Sequence, residues 1–357
     1  MGKQLITRWF LGSNSTSGFH SLYGGFCSGE NDFLRVIKGG PGTGKSGLMR
    51  RIGDAAEQRG LDVEYILCSG DPDSLDGIYI PALGLGYADG TSPHVLDPTL
   101  FGVSGSYIDV GACCGRVSDP AARREISELT RAYREHYAAA YSYLAAARAA
   151  NPAAQGALLS ADDMDSARRR ARSAAERELP AHGGDGGSRA ERFLRAITCG
   201  GELLCSDTLT ALCPRVYVLD ASLGLAGVFL TELAAMAERR GYGHILCPDP
   251  LDPRRPDALL LPSRGAAYVA GGSGEELPFK PSRRLHLDSA RLRSLTREER
   301  RSLESDRRAA ASLRHCAVDA LSSAKRLHDE LEAVYRPYVN FPALDMLAQA
   351  EIASLGL

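Results

Sequence analysis

Residues 33–46 read FLRVIKGGPGTGKS, and this stretch decides the fold class of the chain. The segment 33–38 is an apolar run typical of a buried β-strand. Glycines then dominate positions 39–44. From Lys45 onward apolar residues recur at spacings of three and four, which predicts a helix that ends near Gly60. The stretch therefore predicts a strand, a glycine-rich turn and a helix in direct succession.

The turn matches the P-loop pattern G-x-x-x-x-G-K-[ST]. Glycines let consecutive main-chain N–H groups point toward one phosphate, and the helix N-terminus adds a favourable dipole. Lys45 would reach the β- and γ-phosphates, and the Ser46 hydroxyl would bind Mg²⁺. Lysine is scarce among the 42 Lys and Arg residues, so its presence here carries weight. The predicted nucleotide-binding residues are Gly40, Pro41, Gly42, Thr43, Gly44, Lys45, Ser46 and Gly47.

Carboxylates follow the next predicted strands, where open α/β sheets bind their ligands. Asp89 ends the run 83–88 and is the expected second Mg²⁺ ligand, with an ordinary Asp-Gly turn as the alternative. Asp71 and Asp76 follow the strand at 63–68, and one of them would orient the attacking water or hold a substrate hydroxyl. Either could equally be a solvated turn residue. For the nearby His94 a structural role is favoured over a catalytic one.

The second half of the chain repeats the first at a nearly constant shift, which indicates an internal duplication. The matched segments are 33–40 with 215–222, 56–60 with 237–241, 66–68 with 245–247, and 71–72 with 249–250. In this alignment Lys45 lies opposite Gly227, Ser46 opposite Val228, Gly44 opposite Ala226, and Asp89 opposite Ala270. Because the phosphate-binding charge and both metal ligands are lost together, we expect a folded second repeat that binds no magnesium nucleotide.

Strand and helix signals alternate in both repeats, which predicts an α/β protein with mainly parallel sheets. Helical patterns cover 119–150, 161–178 and 287–336, and a glycine-rich linker lies at 180–188. We therefore expect a P-loop NTPase fold, built as two tandem three-layer α/β/α repeats with long helical extensions. The predicted domains are residues 1–180 and residues 189–357.

Composition excludes several classes of function. The formal net charge is −2, so no basic surface for nucleic acid is expected. No stretch approaches about 18 consecutive apolar residues, and the N-terminus has no signal-peptide pattern, so no membrane association is expected. The chain has 9 cysteines and no C-x-x-C pair, which fits reduced thiols in the cytoplasm rather than a zinc site.

The chain resembles a family of bacterial proteins with two tandem P-loop domains, described as ATPases or ATP-binding proteins. The resemblance rests on the P-loop and on three further segments at 68–77, 89–94 and 324–332. It implies nucleotide binding and supplies no biological task. The second domain of that family commonly has an intact P-loop, so this chain departs from a two-site mechanism.

Mg²⁺-dependent ATP hydrolysis at the first repeat is the leading functional hypothesis. ATP is preferred to GTP by resemblance and because no Asn-Lys-x-Asp guanine motif occurs. One alternative is phosphate transfer to a small molecule held by the acidic turn at 71–76. The other is a nucleotide-dependent switch whose helices at 119–150 and 287–336 engage a protein partner. An arginine finger could come from this chain or from a second subunit, which leaves a homo-oligomer open.

Overall fold

The computed structural model describes residues 4–91, 96–181, 184–272 and 276–357. The strands of the first half are β1 (Ile6–Phe10), β2 (Gly12–Ser15), β3 (Gly18–Ser21), β4 (Phe33–Lys38), β5 (Val63–Leu67), β6 (Leu75–Ile80), β7 (Leu85–Asp89) and β8 (Gly105–Asp109). Those of the second half are β9 (Arg189–Glu191), β10 (Arg195–Thr198), β11 (Gly201–Leu204), β12 (Arg215–Asp220), β13 (His244–Pro248), β14 (Pro256–Leu261), β15 (Ala266–Gly271) and β16 (Arg283–His286). The helices are α1 (Lys45–Gln58), α2 (Pro120–Ala149), α3 (Ala161–Glu178), α4 (Ser206–Leu212), α5 (Leu225–Arg239), α6 (Ser289–Ser294), α7 (Arg297–Tyr335) and α8 (Phe341–Ser354).

The chain is an α/β protein whose described part contains two mixed six-stranded sheets. The first sheet has the order β1-β5-β6-β7-β4-β8, and the second has the order β9-β13-β14-β15-β12-β16. In each sheet the strand before the glycine-containing loop, β4 or β12, is parallel to both of its neighbours.

Both sheets are mainly parallel, as predicted, but each contains one antiparallel strand that the sequence analysis does not predict. In the two sheets β6 and β14 run antiparallel to both of their neighbours. The cause is connection length, because a parallel pair needs a crossover of about a dozen residues or more. Only residues 68–74 join β5 to β6, and only residues 81–84 join β6 to β7.

The two sheets also agree in register, and each has a bulge at the same point, in β5 of the first sheet and β13 of the second. Leu67 pairs with Leu75 beyond a bulge, and Pro248 pairs with Pro256 beyond a bulge at the same point. In this register Ile66 occupies the position in β5 that Cys247 occupies in β13. The sequence alignment of 66–68 with 245–247 is therefore wrong by two residues, since both segments happen to read Ile-Leu-Cys.

The turn after this strand is built alike in both halves. The Ser74 N–H donates to the Asp71 carbonyl at 2.8 Å, and the Arg255 N–H donates to the Asp252 carbonyl at 2.9 Å. Asp71 therefore corresponds to Asp252, and the alignment of Asp71 with Asp249 is corrected.

The two halves exchange their helical extensions. Helix α3 precedes the second sheet in the chain but packs on α5, while α8 ends the chain and packs on α1. Alanines on α3 join the apolar core beneath the second sheet, with Phe229 and Tyr268. Leu344 and Ala348 of α8 join the core of the first sheet. The domain division at 180–188 stays a prediction, and each half is covered by a helix from the other.

The long helices α2 and α7 pair along their lengths and join the two halves. The pair is antiparallel, because the ring of Tyr133 lies 5.8 Å from that of His328, whereas Leu144 clusters with Ala317. At about 1.5 Å per residue, α7 is about 58 Å long. Each helix also forms an ion pair with the turn of the opposite half, α2 through Arg148 to Asp252 and α7 through Lys325 to Asp71.

One apolar cluster runs through both halves. It contains Trp9 and Ile37 from the first sheet region together with Phe193 and Val269 from the second. The main chains of Phe10 and Phe193 exchange two hydrogen bonds, at 2.8 and 3.0 Å, within this cluster. The three-layer arrangement of each repeat remains a prediction. None of the described helices has the length and apolar character needed to cross a bilayer.

Candidate functional site

The glycine-rich loop connects the end of β4 to the first turn of α1. Gly42 and Gly44 have φ values of +67° and +83°, a region that side chains disfavour. A Cβ on Gly39 would lie 2.5 Å from a methyl carbon of Val110 and 2.7 Å from the Thr43 hydroxyl. The Thr43 hydroxyl donates to the Gly40 carbonyl at 2.8 Å, which closes the loop on itself. The glycines are therefore required by the shape of the loop.

Lys45 lies at the first position of α1 and turns back over its own loop. Its Nζ lies 2.8 Å from the Gly40 carbonyl, 3.2 Å from the Gly39 carbonyl and 3.5 Å from Oδ2 of Asp89. The contact with Asp89 follows from the sheet, because β7 is parallel to β4 and places Asp89 opposite Ile37. The structure thus brings the predicted phosphate-binding lysine and the predicted metal-binding carboxylate together.

Thr91 and Leu75 orient the two oxygen ligands that the sequence assigns to Mg²⁺. Oδ1 of Asp89 accepts hydrogen bonds from the N–H and the hydroxyl of Thr91, at 2.9 and 2.6 Å. The Ser46 hydroxyl accepts the Leu75 N–H at 2.9 Å, which ties α1 to the start of β6. A hydroxyl and a carboxylate are hard oxygen donors of the kind that Mg²⁺ binds, so this donor set fits the ion.

The two aspartates predicted to act on water occupy different environments. Asp76 is 5% exposed. Burial raises the pKa of the Tyr23 phenol and of the Cys68 thiol well above their ordinary values, and the neighbouring Asp76 carboxylate raises both further. The matching residue of the second half, Asp257, is also buried at 6% exposure. A buried aspartate at this position is therefore a feature that both repeats share.

Asp71 is partly exposed and faces α7. Its Oδ2 accepts the Ser74 hydroxyl at 2.9 Å and lies 3.5 Å from Nζ of Lys325. Of the two aspartates, Asp71 is the one that solvent reaches. His94, also considered from the sequence, lies outside the described residues.

Two residues from the last part of the chain cover the loop, and neither is among the site residues predicted from the sequence. The Gly42 N–H donates to Oε1 of Glu332 on α7 at 3.1 Å. A Cβ on Gly44 would lie 2.3 Å from a methyl carbon of Leu344 on α8. Glu332 lies in the segment 324–332, one of the segments that carry the family resemblance. That resemblance is the signal by which the sequence could have identified Glu332. Nothing local in the sequence marks Leu344.

Main-chain and side-chain hydrogen bonds fix the segment between these two helices against the first half. The Gly115 N–H donates to the Tyr338 carbonyl at 2.7 Å, and the Asn340 N–H donates to the Cys113 carbonyl at 2.8 Å. Further along α8, the carboxylate of Glu351 accepts the Tyr87 hydroxyl and pairs with Arg35, each at 2.8 Å. The cover over the loop is therefore a bonded part of the fold.

The equivalent loop in the second half is shorter. It spans residues 221–224, and α5 begins at Leu225 directly after Gly224, whose φ is +92°. Aligned on the starts of the two helices, Gly44 matches Gly224, Lys45 matches Leu225 and Ser46 matches Ala226. The pairings with Ala226, Gly227 and Val228 are thus wrong, because the ungapped alignment passed over a loop two residues shorter. Both chemical groups are still missing.

A buried carboxylate fills this second loop. Asp288 is 3% exposed, and its Oδ2 accepts the Leu223 N–H at 2.8 Å and the Ser222 hydroxyl at 3.3 Å. The guanidinium of Arg255 donates to the Gly224 carbonyl at 3.0 Å from another side. In the first half the position matching Asp288 is Gly111, which has no side chain. The protein itself therefore satisfies the Ser222 hydroxyl, the Leu223 N–H and the Gly224 carbonyl of the second loop.

Comparison of the chain with known protein families, with curated proteins and with solved structures finds no match in any of the three.

Proposed function

We propose that the chain binds and hydrolyses a magnesium-complexed nucleoside triphosphate, ATP by preference, at a single site in the first half. The observation that carries this proposal is the loop at 39–44 between a central parallel strand and a helix, with Nζ of Lys45 lying 3.5 Å from Asp89. The glycine-rich motif, its place after a strand and the adjoining carboxylate agree with one another. The P-loop NTPase fold and the family resemblance are part of the same proposal.

Each group has a role that its position suits. Main-chain N–H groups of Gly40 and of residues 42–46 bind the phosphate chain, and Lys45 adds the positive charge. Ser46 and Asp89 hold Mg²⁺, which when bound neutralises charge on the β- and γ-phosphate oxygens. Asp71, the more accessible aspartate, orients the attacking water, and Asp76 keeps its neighbours in place. Catalysis then consists of positioning and charge stabilisation.

A nucleotide-dependent switch is the second candidate, and the cover over the loop favours it. Helices α7 and α8 contact the loop at Gly42 and Gly44, and α7 is paired with α2 along its length. A ligand at the loop would therefore act on the helices that are proposed to engage a protein partner. Small-molecule phosphorylation has less support, because Asp76 is only 5% exposed and is therefore enclosed away from an acceptor in solvent.

Release of inorganic phosphate from Mg-ATP, with no acceptor added, tests the proposal. Lys45→Ala should lower the rate about 100-fold or more, the usual cost of removing one group that stabilises transition-state charge. Lys280→Ala, at an exposed lysine of the second half, is the matched control and should leave the rate unchanged. Equal rates in both variants would contradict hydrolysis at this loop. Binding without turnover in the wild-type protein would favour the switch.

A further inference from the structure

Glu332 of α7 holds a main-chain donor of the glycine-rich loop. The Gly42 N–H points to Oε1 of Glu332 at 3.1 Å. A Cβ placed on Gly42 would lie only 3.1–3.2 Å from Cβ, Cα and the carbonyl oxygen of Glu332. The main chain of α7 thus lies directly against the loop, and its carboxylate takes a donor that a phosphate oxygen would need.

The second half contains the same kind of contact, but there the carboxylate is buried. There the Leu223 N–H donates to a carboxylate oxygen of Asp288 at 2.8 Å, and the side chain is almost fully buried. A carboxylate and a phosphate are both oxyanions that accept N–H donors, so either can satisfy such a loop. In both halves, therefore, a loop N–H donates to a carboxylate. The two carboxylates, Glu332 and Asp288, both follow β16 in the chain.

The two carboxylates differ in how firmly they are held. Asp288 has a second donor in the Ser222 hydroxyl, whereas Glu332 has 42% of its side chain exposed and lies near His328, at 3.7 Å, and the carboxylate of Asp329, within 4.8 Å. A partly exposed glutamate side chain on a helix can rotate from the loop toward solvent. The Glu332 contact is thus one that a stronger anion can displace.

We propose that Glu332 is an internal competitor for the phosphate site, so that nucleotide binding requires this carboxylate to leave Gly42. This proposal rests on the proposed function and describes how nucleotide binding at that site is regulated. Residues 336–340 link α7 to α8, and Leu344 of α8 lies on Gly44, so Glu332 and Leu344 cover neighbouring glycines of the same loop. Because α7 is paired with α2, the departure of Glu332 from Gly42 also acts on the pair that these two helices form.

The test compares Glu332→Ala with Glu330→Ala, which removes the same charge from an exposed position on the same helix. Titration with Mg-ATP should give a dissociation constant about tenfold lower for Glu332→Ala than for the wild-type protein, because a competing hydrogen bond to a charged group is removed. Glu330→Ala should bind as the wild-type protein does. Glu332→Gln, which keeps a neutral acceptor, should fall between the two.

Hydrogen exchange without nucleotide separates this contact from simple charge repulsion. In Glu332→Ala the Gly42 amide should exchange faster, and in Glu330→Ala it should not. If the wild-type protein binds nucleotide and Glu332→Ala binds no more tightly, the competitor idea is overturned and the proposed function stands. If no variant binds nucleotide, the proposed function fails and the competitor role falls with it.

Discussion

Replacing Asp288 with alanine tests whether its carboxylate occupies and stabilises the loop at 221–224 of the second half. The carboxylate is 3% exposed and accepts two hydrogen bonds, at 2.8 Å from Leu223 and at 3.3 Å from Ser222. Its side chain does not cap α6, which follows it, so the substitution reports on the loop alone. In Asp288→Ala the buried Leu223 N–H has lost its acceptor.

We expect Asp288→Ala to lower the free energy of unfolding by about 3 kcal/mol. A hydrogen bond to a charged acceptor contributes about 1.5–3 kcal/mol, and an unsatisfied buried donor costs about 1–3 kcal/mol. Urea unfolding followed by circular dichroism measures the change as a lower midpoint at an unchanged slope. Asp288→Asn, which keeps an acceptor oxygen, should lose less than half as much.

The control is Glu128→Ala, at an exposed position of α2, which should unfold as the wild-type protein does. A stability for Asp288→Ala equal to that of the control would refute the reasoning. It would mean that the Leu223 amide gains nothing from the carboxylate, and the comparison drawn with Glu332 would lose its basis.

Three other perturbations follow from the same contacts. Gly44→Ala should destabilise the protein more than Gly60→Ala, since both have positive φ but only Gly44 would place its Cβ 2.3 Å from Leu344; equal urea midpoints would contradict the cover by α8. Ser46→Ala should raise the Mg²⁺ concentration needed for half-maximal turnover about tenfold by loss of a metal ligand, and an unchanged requirement would remove Ser46 from the metal site. Burial raises the pKa of Cys213 to about 12, so iodoacetamide at pH 8 should label the exposed Cys316 first; labelling of Cys213 should increase as the pH rises, and equal early labelling in peptide mass spectra would contradict its burial.

The local pattern of the sequence predicted the elements around the loop well. The strand 33–38, the turn and the start of the helix at Lys45 lie where the sequence places them, because each signal is contained in a few adjacent residues. The pairing of Lys45 with Asp89 also followed, since parallel strands bring their carboxyl ends to one edge.

The one antiparallel strand in each sheet, β6 or β14, could have been predicted but was not. Residues 68–74 are too few to cross a sheet face, so β5 and β6 had to pair antiparallel. Strand patterns alone do not show the direction of a strand, which follows instead from the lengths of the connections.

The cover over the loop could not be predicted from the sequence. An amphipathic helix such as α8 shows that one face is buried but not which sheet it packs on. The packing of α8 on the first half depends on contacts between residues 294 positions apart, as for Arg51 and Asp345. The packing of α3 on α5 joins residues 60 positions apart, as for Arg172 and Glu232. Glu332 and Asp288 also reach their loops from distant parts of the chain.

The most direct measurement of the central claim is the number of nucleotides bound per chain. Isothermal titration calorimetry with Mg²⁺ and a slowly hydrolysed ATP analogue should give one site in the wild-type protein and none in Lys45→Ala. Asp288→Ala should still give one, because emptying the second loop supplies no lysine at the start of α5 and no oxygen ligands at the positions of Ser46 and Asp89. Two sites in the wild-type protein, or one site retained in Lys45→Ala, would contradict the assignment of phosphate binding to the first half alone.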